Sequence, residues 1–249
     1  MSGRCTRALI FTFVAIALTF PAAASAAELK IFASRAIATV LEKIGPQFEK
    51  DTGNKLNVIT GLSGEFVPRI NAGESFDILA VPPPLLDSMI KSGKLAADSK
   101  TLVLRSGNGI LVRAGAPKPD VSTVEAFKKA VLAAKSITYL PVPGVPQLLE
   151  RLGLKDAVAA KATIPKSDIS AELVAKGEVE MAIVAITQGY TVPGVAIAGP
   201  LPPEIHFYVT FGGAVSASSK APEAARALLK FLKSPTAIPV IKEQGMEPV

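Results

Sequence analysis

The run LKIFASRAIATVLEKIGPQFEKDTGNKLNVITGLSGEF (Leu29–Phe66) decides the fold class. LKIFA (Leu29–Ala33) is a short apolar strand. Ile37, Val40, Leu41, Ile44 and Phe48 then recur at intervals of three and four, which is one face of a helix. Gly45-Pro46 predicts a kink or an early break in that helix, because proline brings no N–H and crowds the turn before it. Gly53 marks the helix end, and KLNVIT (Lys55–Thr60) is the next strand. EFVPRINAG (Glu65–Gly73) reads as a short helix with Pro68 tolerated near its start. FDILAV (Phe76–Val81) is a third strand, followed by Pro82-Pro83-Pro84 and a helix to Lys91. This alternation predicts an α/β fold built on mostly parallel sheets.

The pattern continues downstream. Ser106–Gly109 (SGNG) fits a turn between lobes, and ILVRAG after it is a strand. Val121 to Ala134 is a helix with Ser122 as N-cap. SITYLPV, VEMAIVAI and GVAIAG are strands; GVPQLLERLG and DISAELVAKG (Asp168–Gly177) are helices. IHFYVTFGGAVSA is a long strand region before two closing helices, Pro222–Lys233 and Pro235–Gln244. We read two α/β lobes: residues 27–107 with 205–249, and residues 108–204 inserted between them. The cleft falls where strand C-terminal ends meet helix N-termini.

The chain's beginning reads differently. Arg4 and Arg7 precede the uncharged ALIFTFVAIALTF, then Pro21 and a small-x-small Ala24-Ser25-Ala26. That is a secretory signal peptide over 1–26, the apolar run being short for a membrane span. The only cysteine, Cys5, lies before the apolar run, so the exported chain has no thiol chemistry. Residues 1–26 hold no acidic residue, so losing Arg4 and Arg7 takes the formal charge from +6 to +4. That mild charge, with scattered lysines and few aromatics, argues against nucleic-acid binding and weakly favours a small anion.

Two strand-to-helix junctions are polar and small: Ser34-Arg35-Ala36 and Gly61-Leu62-Ser63-Gly64. A helix N-terminus offers unpaired N–H groups and a partial positive charge, so two of them aimed at one spot hold an anion. The plainer alternative is that Ser34 and Ser63 are ordinary N-caps. Arg35 can clamp a carboxylate with two parallel bonds, or simply sit solvated at the surface. GLSGE resembles a nucleophile elbow, but Glu65 stands where its last glycine belongs. A hydrolase would need the lone histidine, His206, with Ser63 and Asp77. No metal-ligand spacing, phosphate loop or dinucleotide fingerprint is present, so no cofactor is expected.

Taken in order, these segments resemble the molybdate-binding group of periplasmic substrate-binding proteins of ABC importers, with the type 2 two-lobed fold. The resemblance rests on the first-lobe run quoted above, INAGESFDILA, ELVAKGEVEMAIV and APEAARALLKFLKSPTAIPVIKEQGMEPV, and covers residues 28–249. It implies a secreted, monomeric, non-enzymatic protein. Its lobes would close on a dehydrated oxyanion of the molybdate or tungstate kind and dock on a membrane permease. Ser63 falls on the group's second-junction serine; Gly64 follows it. The first-junction serine position holds Ala36, with Ser34 two residues earlier and Arg35 without counterpart. In the second lobe, PVPGVP (Pro141–Pro146) leaves Gly144 and Val145 as donors, since Pro141, Pro143 and Pro146 have no N–H. Ile169 keeps a backbone role. Ala185 replaces a tyrosine, for which Tyr190 is the nearest substitute. An oxyanion cage with fewer hydroxyls and an added arginine leaves a second reading open: the same scaffold holding a small organic carboxylate.

Overall fold

The computed structural model of the chain describes residues 26–249 except Val142 and Pro143. The signal peptide read at 1–26 therefore lies outside the described residues but for its last position, as does Pro143.

In chain order the elements are β1 (Glu28–Ala33), α1 (Arg35–Thr52), β2 (Lys55–Thr60), α2 (Ser63–Asn71), β3 (Ile78–Val81) and α3 (Pro83–Lys91). There follow β4 (Thr101–Arg113), α4 (Val124–Ala133), β5 (Ile137–Tyr139), α5 (Val145–Arg151), α6 (Lys155–Ala159), β6 (Ala162–Thr163), α7 (Ser170–Lys176) and β7 (Met181–Ala185). The chain ends with α8 (Gln188–Thr191), β8 (Val195–Pro200), β9 (Tyr208–Val215), α9 (Pro222–Phe231), α10 (Ala237–Glu243) and β10 (Glu247–Pro248).

The strands run in the order β2-β1-β3-β9-β4-β7-β5-β6. Pairing is parallel among β1, β2 and β3 and among β5, β6 and β7. Where the chain passes between lobes, β9 and β4 pair antiparallel with their neighbours, so each sheet is mixed at its inner edge. The first half of β4 registers with β9 and the second half with β7 and β8, so one strand serves both lobes. This corrects the turn expected at Ser106–Gly109. The small residues there serve close approach: a Cβ on Gly109 would lie 2.7 Å from the carbonyl oxygen of Gly199.

Three further expectations change for local reasons. α1 runs unbroken through Pro46, because the carbonyl that proline leaves without a donor belongs to exposed Glu42 and meets water. α2 begins at Ser63, two residues early, because the Glu65 carboxylate turns back to accept the Leu62 N–H at 2.8 Å; Pro68 is thus well inside it. α4 is capped by Thr123, whose hydroxyl accepts the Ala126 N–H at 3.1 Å, while Ser122 donates to Asp120 at 2.7 Å.

Each lobe has apolar packing on both sides of its sheet. In the first, Ile37, Leu41 and Phe48 of α1 lie on one face, and Phe32 stacks on Phe66 and Phe76 on the other, at 4.9 and 5.3 Å. In the second, Phe127, Val131 and Leu149 cover one face and Val174 and Val179 the other. Both lobes therefore meet the cleft with rigid strand ends and helix starts.

Candidate functional site

Between the lobes lies a cavity of about 670 Å³. Ser34-Arg35-Ala36, Gly61-Leu62-Ser63 and Pro82–Leu85 wall it from the first lobe. Gly144, Val145, Asp168, Ala185, Thr187 and Gln188 face them from the second, and Asn108 with Phe207–Phe211 form the floor. Most of this surface is apolar side chain.

The polar end is the start of α1 and α2. The N–H groups of Arg35 and Ala36, and of Ser63, have no partner among the described residues. They give the cavity a donor-rich, partly positive corner. Ser34 contributes less than its position suggests. Its N–H and its hydroxyl both donate to the carbonyl of Ala80, at 2.9 and 3.3 Å. Ser63 keeps its hydroxyl free of protein partners among the described residues and lines the cavity.

Arg35 is placed differently from both readings of the sequence. It is neither solvated nor pointed at an open site, but reaches across the cleft. Its Nε donates to Asp168 Oδ2 at 3.2 Å, its Nη2 to the Asp168 carbonyl, and its Nη1 pairs with Glu172 Oε1 at 2.9 Å. Gln188 holds the other Asp168 oxygen, Nε2 to Oδ1, at 2.8 Å. Burial raises the Asp168 carboxyl above its ordinary range, with Arg35 and Gln188 pulling the other way.

Gly144 and Val145 lie on the cavity wall. The Gly144 N–H, however, donates to Gln147 Oε1 at 2.6 Å. Only glycine fits there: φ is +126° and a Cβ would lie 2.5 Å from the Phe207 ring. Ala185 lines the wall from the end of β7. Three expected residues are not brought to it. Gly64 faces solvent. Ile169 is 40% exposed, its N–H donating to the Ser167 carbonyl, because α7 starts only at Ser170. Tyr190 is 56% exposed, and its ring lies over Gly245 of the first lobe.

The hydrolase triad is not assembled. Asp77 accepts from the Lys30 N–H at 2.9 Å and the Ser219 hydroxyl at 2.6 Å. His206 Nδ1 lies 3.1 Å from the Leu201 carbonyl, its ring is against Tyr208 and its Nε2 is buried without a partner. Among the described residues, no group of His, Cys, Asp and Glu is arranged to hold a metal ion.

Asp168, Gln188, Thr187 and Asn108 were not singled out in the sequence. Asp168 is the nearest miss, one residue before Ile169. An acid at a helix start reads as a cap, and nothing local says that an arginine from the other lobe will meet it.

The model of the bacterial extracellular solute-binding protein family matches residues 29–247. A Pseudomonas protein named aconitate isomerase is 32% identical over 237 residues, covering 92% of this chain and 90% of its own. The molybdate-binding protein ModA of Azotobacter vinelandii is 31% identical over 235 residues, covering 90% and 91%. The solved periplasmic molybdate-binding protein of Azotobacter vinelandii superposes with a TM-score of 0.73 at 19% identity, over 88% of this chain and 98% of that one.

Proposed function

The chain belongs to the family of bacterial extracellular solute-binding proteins, and from that premise we propose that it binds a small organic carboxylate in the cleft and presents it to a membrane permease. The protein acts outside the cytoplasmic membrane, as a monomer.

The observation that carries the ligand class is the mismatch between cavity and oxyanion. A tetraoxoanion stripped of water needs donors all round it. Here Ala36 and Ala185 offer no hydroxyl, the Ser34 proton is held by Ala80, and the Gly144 N–H is held by Gln147. The donors that remain are concentrated at the starts of α1 and α2, the second lobe adding the Val145 N–H and the Thr187 hydroxyl, in a cavity of about 670 Å³ with mostly apolar walls. That suits a carboxylate head on the α1 and α2 N-termini and a carbon body beyond it.

A thermal-shift series tests this with molybdate, tungstate, sulfate, phosphate, succinate, citrate and cis-aconitate. A ligand at 100 times its Kd stabilises by about 2.7 kcal/mol, which raises the midpoint by roughly 5–10 °C for a chain this long. The carboxylate reading expects the shift from a carboxylate alone. A shift from molybdate and tungstate alone returns the protein to oxyanion transport.

The relative named aconitate isomerase supports a second reading, in which the bound carboxylate is also converted. Moving a double bond along a tricarboxylate needs a group that carries a proton between two carbons. Asp168 is on the cavity wall with its carboxyl raised by burial. Proton NMR of cis-aconitate with the protein in deuterated water reads this directly. Conversion means trans-aconitate carrying deuterium, lost in Asp168→Asn; an unchanged spectrum with wild-type protein leaves binding alone.

A further inference from the structure

Arg35 is surrounded by more negative charge than it needs. Two carboxylates, Asp168 and Glu172, share one guanidinium, at side-chain exposures of 17, 32 and 26% for Asp168, Glu172 and Arg35. The cluster carries a net negative charge and is short of donors. Glu172 Oε2 and Gln188 Oε1 are both buried with no hydrogen-bond partner. Gln188 is 2% exposed, so its carbonyl has no recourse to water. A carboxylate entering the donor corner beside α1 brings another negative charge against the same arginine.

We propose that a bound carboxylate takes Arg35 from Asp168, and that Asp168 accepts a proton from solvent as the exchange occurs. This rests on the carboxylate reading and states how that site works. Left without Arg35, an ionised Asp168 in this position is a desolvated, unpaired charge, and the neutral acid is the cheaper species. The surroundings already hold a place for the proton. With Asp168 ionised, Gln188 presents its NH₂ to Oδ1. With Asp168 protonated, the Gln188 amide turns over, and the carbonyl that is now unpartnered accepts the new O–H. The groups facing Asp168 are Arg35 from α1, Glu172 from α7, which begins two residues after Asp168, and the neutral Gln188 from α8. No other charged side chain among the described residues bonds it.

The balance is simple: the ligand forms an ion pair with Arg35, the Arg35–Asp168 pair breaks, and one solvent proton ends on Asp168 Oδ1. Binding is then linked to pH. Between the Asp168 pKa of the free protein and the higher one of the complex, affinity falls by up to about tenfold per pH unit.

Titration calorimetry with succinate and cis-aconitate tests this, run as a series from about pH 5 to pH 8 with Asp168→Asn in parallel to subtract protons exchanged by the probe itself. Repeating each titration in buffers of different protonation enthalpy gives the number of protons taken up. The expected result is a proton uptake that rises within this range toward about one per carboxylate bound and is lost in Asp168→Asn. Binding by the wild type without proton uptake overturns the exchange and leaves the carboxylate reading standing. Uptake that survives Asp168→Asn and disappears in Glu172→Gln puts the proton on the wrong acid and also overturns it. No heat from either probe overturns both readings, provided the circular dichroism spectrum is that of the folded protein.

Discussion

At the scale of single residues, the site is governed by what each polar group is already bonded to. Ser34 is where a donor was expected, yet its proton belongs to Ala80. Arg35 is at the cavity, yet its nitrogens belong to the opposite lobe. Arg35→Ala leaves Asp168 and Glu172 partly buried without a counter-charge. Because all three side chains keep some water contact, the expected loss is about 1–2 kcal/mol, below that of a fully buried pair. A thermal melt should fall by roughly 2–8 °C; an unchanged midpoint would show the pair to be a passive surface contact. Asp168 gives a pH signature of its own. A carboxyl whose folded pKa lies above its unfolded value favours the native state while protonated. Its stabilisation is therefore fullest near and below the unfolded pKa and is lost as pH rises toward the folded one. Asp168→Asn removes this loss, so the variant should gain on the wild type as pH is raised from about 4. A constant difference in midpoint across that range would contradict the assignment.

At the scale of elements, the strands and helices were legible because their burial is periodic. α1 shows every third and fourth residue buried, as its sequence announces. What was not legible is where elements begin, because a side chain chooses the boundary. Ser122 and Thr123 are adjacent hydroxyls, and only the fold shows that Thr123 reaches the Ala126 N–H while Ser122 is held by Asp120. Thr123→Ala should cost about 1 kcal/mol, seen as a midpoint drop of about 2–4 °C, with Ser122→Ala clearly smaller. Equal effects would mean that the cap carries no stability of its own. Glu65 is the same lesson at the site. As the residue that spoils a nucleophile elbow it looked like a defect, but it caps the Leu62 N–H and so sets where α2 starts and where Ser63 stands. The candidate site was legible to the same extent. The junctions at Ser34–Ala36 and Ser63 belong to lobe-one elements read correctly from local pattern, and they line the cavity. Asp168 and Gln188 reach it only through pairing across a long sequence separation, which no local pattern encodes.

At the scale of the whole molecule, the described residues join the lobes through β4, through the return between β8 and β9, and through contacts across the cleft. Among these are Arg35 with Asp168 and Glu172, the Tyr190 ring over Gly245, and Gly144 against the Phe207 ring. The strand connection is narrow, so the arrangement of the lobes depends on the contacts across the cleft as well as on the backbone. The ion pairs of Arg35 bond one lobe directly to the other and so contribute to closure without ligand. Closing the lobes is then a population set by a few bonds, and ligand adds to it in proportion to its preference for the closed state. Small-angle scattering on the ligand-free protein measures that population. A compact chain of this size has a radius of gyration of about 17–18 Å. The wild type should lie close to this value, and Arg35→Ala should be measurably larger, with Tyr190→Ala changing it less. Adding a carboxylate that the thermal-shift series identifies should bring the wild type no further in, since its lobes already meet. Identical scattering from the wild type and Arg35→Ala would show that closure is held by packing alone, and that Arg35 has no part in bringing the lobes together.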